Sequence, residues 1–287
     1  MARFHISAFA DEYSASFDEQ IEGLLQNGVR MIELRGIDGV SVSDLTQEAA
    51  SAVRRKLDSC GIGVSAIGSP IGKIALSDSM DAHLEKLRNT CEVANLVGCG
   101  RIRMFSFYVP AGNYDETKNE VFDRMGQMLD VADTFGVKLC HENEKGIWGD
   151  SPERCRELLD TFVGRLGCVF DPANFIQCGC EPFEHGYNLL KHYLTYMHIK
   201  DAVPSGTVVP SGMGAGCVPE TLAAIHTAFP GEVILTVEPH LRVFDGLAAL
   251  EAGHRSVVGS TYATAAEAFA AAIEHLRWCL PRGAEVL

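Results

Sequence analysis

Short hydrophobic runs alternate with longer amphipathic stretches along the whole chain, and this alternation predicts the secondary structure. Runs rich in apolar and β-branched residues predict strands at 4–9, 30–35, 63–67, 101–106, 137–142, 167–171, 195–199 and 233–238. Apolar residues at helical spacing predict helices at 16–28, 46–60, 78–98, 115–136, 151–163, 182–192, 218–229 and 261–278. Strands that alternate with helices favour a parallel sheet covered by helices, and eight such units close a barrel.

Residues at the predicted helix ends support this assignment. Ser151 followed by Pro152 fits an N-cap with proline at the first helical position, and Asp115 is the predicted cap of the fourth helix. Glycines stand where four helices should end, at positions 28, 61, 98 and 136. We therefore predict an α/β fold, a (β/α)8 TIM barrel that forms a single domain over residues 1–287. An open doubly wound sheet is the alternative, but no GxGxxG motif follows the first strand.

Composition narrows the range of functions. The 287 residues carry a formal net charge of −14, which disfavours binding to nucleic acid or to an anionic membrane. No apolar run reaches the roughly 18 residues of a membrane span, and the first residues do not form a signal-peptide pattern. Ten cysteines without a CxxC pair are typical of buried thiols in a reducing cytoplasm. Cys178 and Cys180 form a CxC motif that is the alternative metal-binding or oxidisable site.

Four polar residues end successive predicted strands near the C-terminus. They are Glu142, Asp171, His198 and Glu238, separated by 29, 27 and 40 residues. One strand, helix and pair of loops needs about 30 residues, so equivalent ends of adjacent strands recur at this spacing. In a barrel of this kind those ends face one mouth. Three carboxylates and an imidazole there predict a site for one divalent metal ion, Mn²⁺ by preference, or Mg²⁺, Co²⁺ or Zn²⁺.

Side-chain alternation within the strands tests this interpretation. In the fifth strand, Leu139 suits the side that faces the helices, so Glu142 points towards the barrel interior. The same alternation directs Asp171, His198 and Glu238 inward. Each residue alone would more often be a cap or an ion-pair partner, and the four in phase favour function. A metal that holds two substrate oxygens stabilises an enediolate, and Glu142 and Glu238 would then move a proton as acid and base.

The motifs around these residues resemble the xylose-isomerase-like barrels, a family that includes sugar and sugar-phosphate isomerases and epimerases. The resemblance covers essentially the whole chain. Its most specific parts are HEN at 141–143, FDPANF at 170–175, HIKDA at 198–202, PSGMGAG at 210–216 and VEPH at 237–240. It implies that Glu142, Asp171, His198 and Glu238 hold the metal and that the two glutamates form the acid–base pair. Homodimers or homotetramers are implied by resemblance alone.

The chain departs from the family pattern at two positions that border the substrate. Asn174 stands where several sugar epimerases have a histidine, and Glu144 stands where many relatives have one. These changes alter the expected substrate and leave the metal site intact. Glu144 is also the alternative to Glu142 as a ligand, which requires the strand to continue past Asn143.

Two residues beyond the metal motifs are further candidates for substrate binding. Lys200 has inward parity and would bind a substrate oxygen or form a salt bridge to Asp201 or Glu238. His240 would face the substrate or lie on the rim. Neither alternative is decided by the sequence.

Three candidates come from other strands and loops. Glu33 and Arg103 share inward parity and would form a buried ion pair or line the sugar site. Trp148 would stack on a sugar or cover an interface.

The predicted function is metal-dependent isomerisation or epimerisation of a small sugar or polyol in the cytoplasm. The alternative on the same barrel is an inosose-type dehydratase, with His240 or Glu144 as the acid near the leaving group. Abasic-site endonucleases share the barrel, but they need several metals and a basic groove. A non-catalytic metal-binding barrel is the remaining class. The lack of a clustered Arg/Lys motif favours a substrate without phosphate.

Overall fold

The structure, a computed structural model, describes residues 1–244, 257–258 and 262–287. Parallel strands form a closed barrel in which each strand pairs with the next and the eighth closes against the first. The strands are β1 (Ala2–Ala8), β2 (Met31–Leu34), β3 (Gly63–Gly68), β4 (Arg101–Met104), β5 (Lys138–Glu142), β6 (Gly167–Phe170), β7 (Leu194–Ile199) and β8 (Gly231–Val237). The predicted single-domain TIM barrel is confirmed.

Helices follow the strands and cover the outside of the barrel. They are α1 (Phe17–Gln26), α2 (Gln47–Cys60), α3 (Met80–Leu96), α4 (Tyr114–Phe135), α5 (Pro152–Thr161), α6 (Pro172–Gln177), α7 (Val218–Ala228) and α8 (Ala265–Cys279). The segment predicted as a helix at 182–192 is helical but irregular, with a π-helix at Pro182–Tyr187 followed by short α- and 3₁₀-helical segments at Asn188–Leu190 and Lys191–Tyr193. Residue 261 of the last predicted helix lies outside the described residues.

Short strands and turns lie at the mouth of the barrel, the end at which the eight strands terminate. Gly36–Ile37 pairs with Val40–Ser41 after β2, and Asp201–Ala202 pairs with Thr207–Val209 after β7. Thr207–Val209 also pairs with Val257–Val258.

The helix caps are mostly those that the sequence indicates. Ser151 Oγ accepts a hydrogen bond from the Arg154 N–H at 3.3 Å, with Pro152 as the first helical residue. The prediction for Asp115 is wrong, because α4 begins one residue earlier and its cap position is Asn113. Asp115 lies in the first turn, where a negative charge is favourable. Glycines 28, 61, 98 and 136 all have positive φ where helices end.

Apolar side chains fill the barrel below its mouth. A buried interior cluster contains Ala66, Cys140, Val169, Tyr196 and Ile234, separate from the larger core between strands and helices. Glu142, His198 and Asp171 each follow a member of this cluster by two residues. The predicted alternation is therefore confirmed for these three residues, and their side chains lie on the mouth side of the interior cluster. Among the described helices, none combines the length and apolar character needed to cross a membrane.

Candidate metal centre

The structure brings the four predicted ligands together at the mouth. Glu142 is the last residue of β5, His198 lies near the end of β7, and Asp171 and Glu238 directly follow β6 and β8. Each offers one ligand atom, and these atoms all lie within 4.8 Å of one another. All four side chains are buried. Strand ends that are distant in sequence therefore bring three carboxylates and one imidazole together. These four residues are called the metal-ligand group below.

Glu33 orients the imidazole of this group. His198 Nδ1 lies 2.8 Å from Glu142 Oε1, while Nε2 lies 3.2 Å from each Glu33 oxygen. Tyr196 donates a hydrogen bond to Glu33 Oε1 at 3.0 Å. A histidine that binds a metal through one nitrogen commonly donates its other N–H to a carboxylate, and Glu33 stands in that position. The Glu33–Arg103 ion pair, one of the two alternatives that the sequence left open, is not the arrangement found, because Arg103 binds Glu142.

The donor set fits a divalent cation. Asp171 Oδ1 caps α6 by accepting the Asn174 N–H at 2.9 Å. Asp171 Oδ2 is buried and accepts no hydrogen bond from the described residues, although Lys200 Nζ forms an ion pair with it at 3.0 Å. Without a metal, the Lys200 ammonium is the group that balances the charge of this buried oxygen. Three carboxylates and one imidazole are donors that Mn²⁺, Mg²⁺ and Zn²⁺ accept.

Charges inside the cluster move the pKa values in opposite directions. Burial raises the pKa of Asp171 to about 7, against the effect of Lys200. Burial also disfavours ionised Glu142, but His198 and Arg103 outweigh it and lower its pKa to about 2. Burial would lower the pKa of His198, yet Glu142 and Glu33 raise it to about 10. The metal-free cluster thus holds a proton on the His198 imidazole, which a divalent cation would displace.

Two arginines hold the two glutamates that were predicted to move protons. Arg103 Nη1 donates to Glu142 Oε2 at 2.8 Å, and Arg35 Nη1 donates to Glu238 Oε1 at 3.0 Å. Lys200 Nζ donates to the other oxygen of Glu238 at 2.7 Å, which is one of the alternatives that the sequence left open. Burial opposes the ionisation of Glu238, but Lys200 and His240 hold its pKa well below the ordinary value. Arg35 was not a sequence candidate, although it lies two residues after Glu33, just beyond β2, and so has the same inward parity.

Asp201, which adjoins Lys200, orders the glycine loop. Its carboxylate accepts the backbone N–H groups of Ala202, Gly212, Gly214 and Gly216 at 2.8–3.0 Å. The alternative Lys200–Asp201 salt bridge is not the arrangement found, because Lys200 points to Asp171 and Glu238.

A second acidic group adjoins the first. Glu12, Glu238 and His240 also offer ligand atoms within 4.8 Å of one another. Arg35 Nη2 donates to Glu12 Oε1 at 3.0 Å, so a guanidinium balances negative charge in this second group, as Arg103 and Lys200 do in the first. His240 has a φ of 43°, and its N–H donates to Glu12 Oε2 at 2.7 Å. Glu12 was not a sequence candidate, because it lies on a short turn after β1.

The two residues that depart from the family pattern have different surroundings. Asn174 Nδ2 lies 3.3 Å from Glu142 Oε1 and donates to Asn143 O at 2.9 Å, so it contacts the metal-ligand group directly. Glu144 lies outside that group and forms a salt bridge with Lys73 at 3.1 Å. Glu142 is thus the residue that the fold places in the cluster, and the alternative with Glu144 as ligand is not supported.

Two other sequence candidates lie away from the cluster. Trp148 is 2% exposed, donates from Nε1 to Tyr114 O at 2.8 Å and packs edge-on against Phe122. Both predictions for Trp148, sugar stacking and interface cover, are therefore wrong, since its ring belongs to the core beside α4. Cys178 and Cys180 are half-buried free thiols, and neither joins a metal-ligand group among the described residues.

The chain matches the family model of the xylose isomerase-like TIM barrel over residues 22–254. It therefore belongs to this family, as the sequence motifs indicated. A comparison with curated protein sequences finds no significant match.

Solved structures of low sequence identity share the fold. The probable 3-DHS dehydratase AsbF from Bacillus anthracis has a TM-score of 0.72 and 16% identity, covering 96% of this chain and 99% of its own. The IOLI protein with a bound zinc atom has a TM-score of 0.72 and 16% identity, covering 97% and 98%. A D-allulose 3-epimerase from Methylomonas sp. has a TM-score of 0.72 and 15% identity, covering 98% and 100%.

Proposed function

We propose that the protein is a divalent-metal-dependent isomerase or epimerase of a small sugar or polyol. One observation carries the proposal. Glu142 and Glu238, whose pKa values are both lowered, belong to one buried group with Asp171 and His198. Two ionised carboxylates in one such group are suited to act as the base that removes a proton from a substrate carbon and, once protonated, as the acid that returns one.

A divalent cation held by these four residues would polarise a substrate carbonyl and make the neighbouring C–H more acidic. Glu142 or Glu238 takes up that proton, and the other glutamate returns one to the carbon frame after exchange with solvent. His198 and Lys200 are the main groups that keep Glu142 and Glu238 ionised, and Arg103 and Arg35 fix the direction of the two carboxylates. Burial of the group excludes bulk water, which strengthens these interactions.

The structural relatives support this reaction class without deciding it. They include a D-allulose 3-epimerase and a D-psicose 3-epimerase with D-tagatose. A dehydratase is the second candidate, and one observation favours it. His240 Nδ1 lies 3.7 Å from Glu238 Oε1, so an imidazole stands beside the proton-transfer group and would protonate a departing hydroxyl.

Deuterium exchange tests the proposal directly. Metal-reconstituted protein is incubated with ketoses, aldoses and inososes in D₂O, and NMR follows deuterium at the carbon beside the carbonyl. We expect Glu142→Gln and Glu238→Gln each to slow exchange by about 10²- to 10⁴-fold. Glu232→Gln is the matched control, because Glu232 pairs with His5 on exposed parts of β8 and β1. The product separates isomerase, epimerase and dehydratase, and a metal-loaded protein that exchanges no substrate contradicts the proposal.

Three finer attributes belong to the same proposal. We infer Mn²⁺ as the preferred metal, a cytoplasmic location and assembly as a homodimer or homotetramer. The donor set supports the first, and ten free cysteines support the second. Metal analysis of protein purified without added metal and light scattering of the purified chain test the metal and the assembly.

A further inference from the structure

A cavity of about 520 Å³ adjoins the metal-ligand group on the side of β2, β3 and β4. Arg35 and Arg103 line it, and each also binds a carboxylate of the group. The two guanidiniums therefore form a shared boundary between the cavity and the reaction centre. A volume of this size accommodates a small ligand that extends beyond one sugar carbonyl.

The cavity lining is cationic. Four basic side chains line it, namely Arg35, Lys73, Lys86 and Arg103, whereas Asp11 is the one acidic residue among the described residues of the lining. The carboxylates of Glu142, Glu144 and Glu238, which pair with three of these cations, do not line the cavity. On a chain with a net charge of −14, this concentration of positive charge facing one cavity is an arrangement suited to an anion.

Arg103 has an unused donor in this lining. Its side chain is 6% exposed, and its Nε is buried without a hydrogen-bond partner among the described residues. A buried guanidinium N–H is unfavourable without an acceptor, and buried donors normally have one. Arg103 lines the cavity, so an oxygen of a bound ligand that reaches this N–H would supply the acceptor that it lacks.

Phe105, which also lines the cavity, contacts two of the cations. Arg103 Cζ lies 4.6 Å and Lys73 Nζ lies 4.3 Å from the centre of its ring. Two positive groups on one aromatic ring repel each other, and an anion beside them offsets that repulsion. Lys86 lies at the more exposed part of the lining, where it pairs with Asp44.

We propose that this cavity binds an anionic group of the substrate, a carboxylate or a phosphate, through Arg103 and Lys73. The inference rests on the proposed function, since the reacting carbons would lie at Glu142 and Glu238 while the acidic end of the same molecule occupies the cavity. The substrate class is then an acidic sugar. The expectation of a substrate without phosphate relied on the absence of a local basic motif, whereas the fold gathers basic residues from four separate segments.

Binding of simple anions tests the site without a known substrate. Full-length protein loaded with a diamagnetic ion, Mg²⁺ or Zn²⁺, is titrated with inorganic phosphate, with acetate and with neutral glycerol, and NMR follows the Nε–H resonance of Arg103, assigned with Arg103→Lys. We expect a saturable shift with phosphate or acetate and none with glycerol. The preferred anion distinguishes a phosphate from a carboxylate substrate. If neither anion shifts this resonance, the inference is overturned.

Lys73→Met should weaken that binding by about tenfold or more, because it removes a charge-assisted contact, and Lys73→Arg should retain it. Lys118→Met is the matched control. Lys118 also pairs with a glutamate and lies over an aromatic ring, Glu157 and Phe122, but it does not line the cavity. Equal affinity in Lys73→Met and Lys118→Met, both folded by thermal unfolding, would also refute the inference.

The deuterium-exchange assay separates the two proposals. Anion binding at Arg103 without exchange of any sugar would leave the cavity assignment standing and contradict the enzyme proposal. Exchange of neutral sugars, without anion binding and with no advantage for their acidic counterparts, would support the enzyme proposal and contradict the cavity assignment.

Discussion

A Glu33→Gln substitution should weaken divalent-metal binding, although Glu33 is not a proposed ligand. Its two oxygens lie 3.2 Å from His198 Nε2, and Tyr196 donates to one of them. The carboxylate therefore fixes the ring so that Nδ1 faces the ligand group. A glutamine keeps the size of the side chain, but it removes the charge and places an NH₂ donor between two other donors.

The expected loss follows from this geometry. Carboxylates that orient ligating histidines contribute about 10- to 100-fold to metal affinity, which corresponds to about 1.4 to 2.7 kcal/mol. Glu33 is 1% exposed, so water cannot replace its contacts and the loss should lie within this range. Competition between metal-loaded protein and a chelator, read with Mn²⁺ and Zn²⁺, measures the change. Tyr196→Phe should have a smaller effect, because it leaves the Glu33–His198 contact in place.

The control for this prediction is another glutamate–histidine pair in the same barrel. Glu232 lies 2.9 Å from His5 Nε2, but far from the mouth and in contact with solvent. Glu232→Gln should therefore leave metal affinity unchanged. If Glu33→Gln binds metal as tightly as Glu232→Gln while its thermal unfolding remains cooperative, Glu33 does not orient His198.

Two further predictions concern stability. Burial, with a smaller effect of Lys86, lowers the pKa of His83 to about 4 from 6.5, and Gly72 N–H donates to its Nε2. Because the unfolded chain takes up this proton at a higher pH than the folded chain, the contribution of His83 to stability is complete above pH 6.5 and falls towards pH 4, by about 2 to 3 kcal/mol at pH 4.5. Urea unfolding of wild type and His83→Gln near neutral and acid pH should show a smaller loss in the variant, and equal losses would contradict the assignment. Gly214→Ala should cost about 1 to 3 kcal/mol, because its Cβ would lie 2.3 Å from Asp201 Oδ1. Gly100→Ala, with open space around the added atom, should unfold at the wild-type temperature, and the same Tm for both variants would refute the steric argument.

The sequence alone predicted the barrel and the convergence of the four candidate ligands, because both depend on repeating patterns. Strand alternation has a period of two, so the inward direction of Glu142 follows from the apolar side chain at Leu139. The spacing of strand–helix units then places His198 and Glu238 at the same mouth. Local periodicity and a regular topology were sufficient for these residues.

Contacts between distant segments were not predictable in the same way. Trp148 lies in a loop without periodicity, and only tertiary packing against α4 shows that its ring is buried. Arg103 had two suitable acidic partners at the mouth, and the choice of Glu142 over Glu33 depends on relative strand heights that alternation does not specify. Glu12 contributes a carboxylate to the second acidic group from a short turn after β1. The position of that turn depends on the pairing of β8 with β1, which the sequence pattern does not specify.

Arg35 and Arg103 bind carboxylates of the metal-ligand group and also line the cavity. Binding of a ligand at one of these sites should therefore affect binding at the other. A cation bound by Glu142 competes with Arg103 for the same carboxylate, and an anion in the cavity competes with Glu142 for the same guanidinium. Thermodynamic linkage requires each ligand to change the affinity of the other by the same factor. Because the cation draws the carboxylate away while the anion occupies the guanidinium, the two should favour each other. Such coupling would make the metal affinity highest when an acidic substrate is present. The positive charge of the cavity would then support the metal-dependent chemistry proposed beside it.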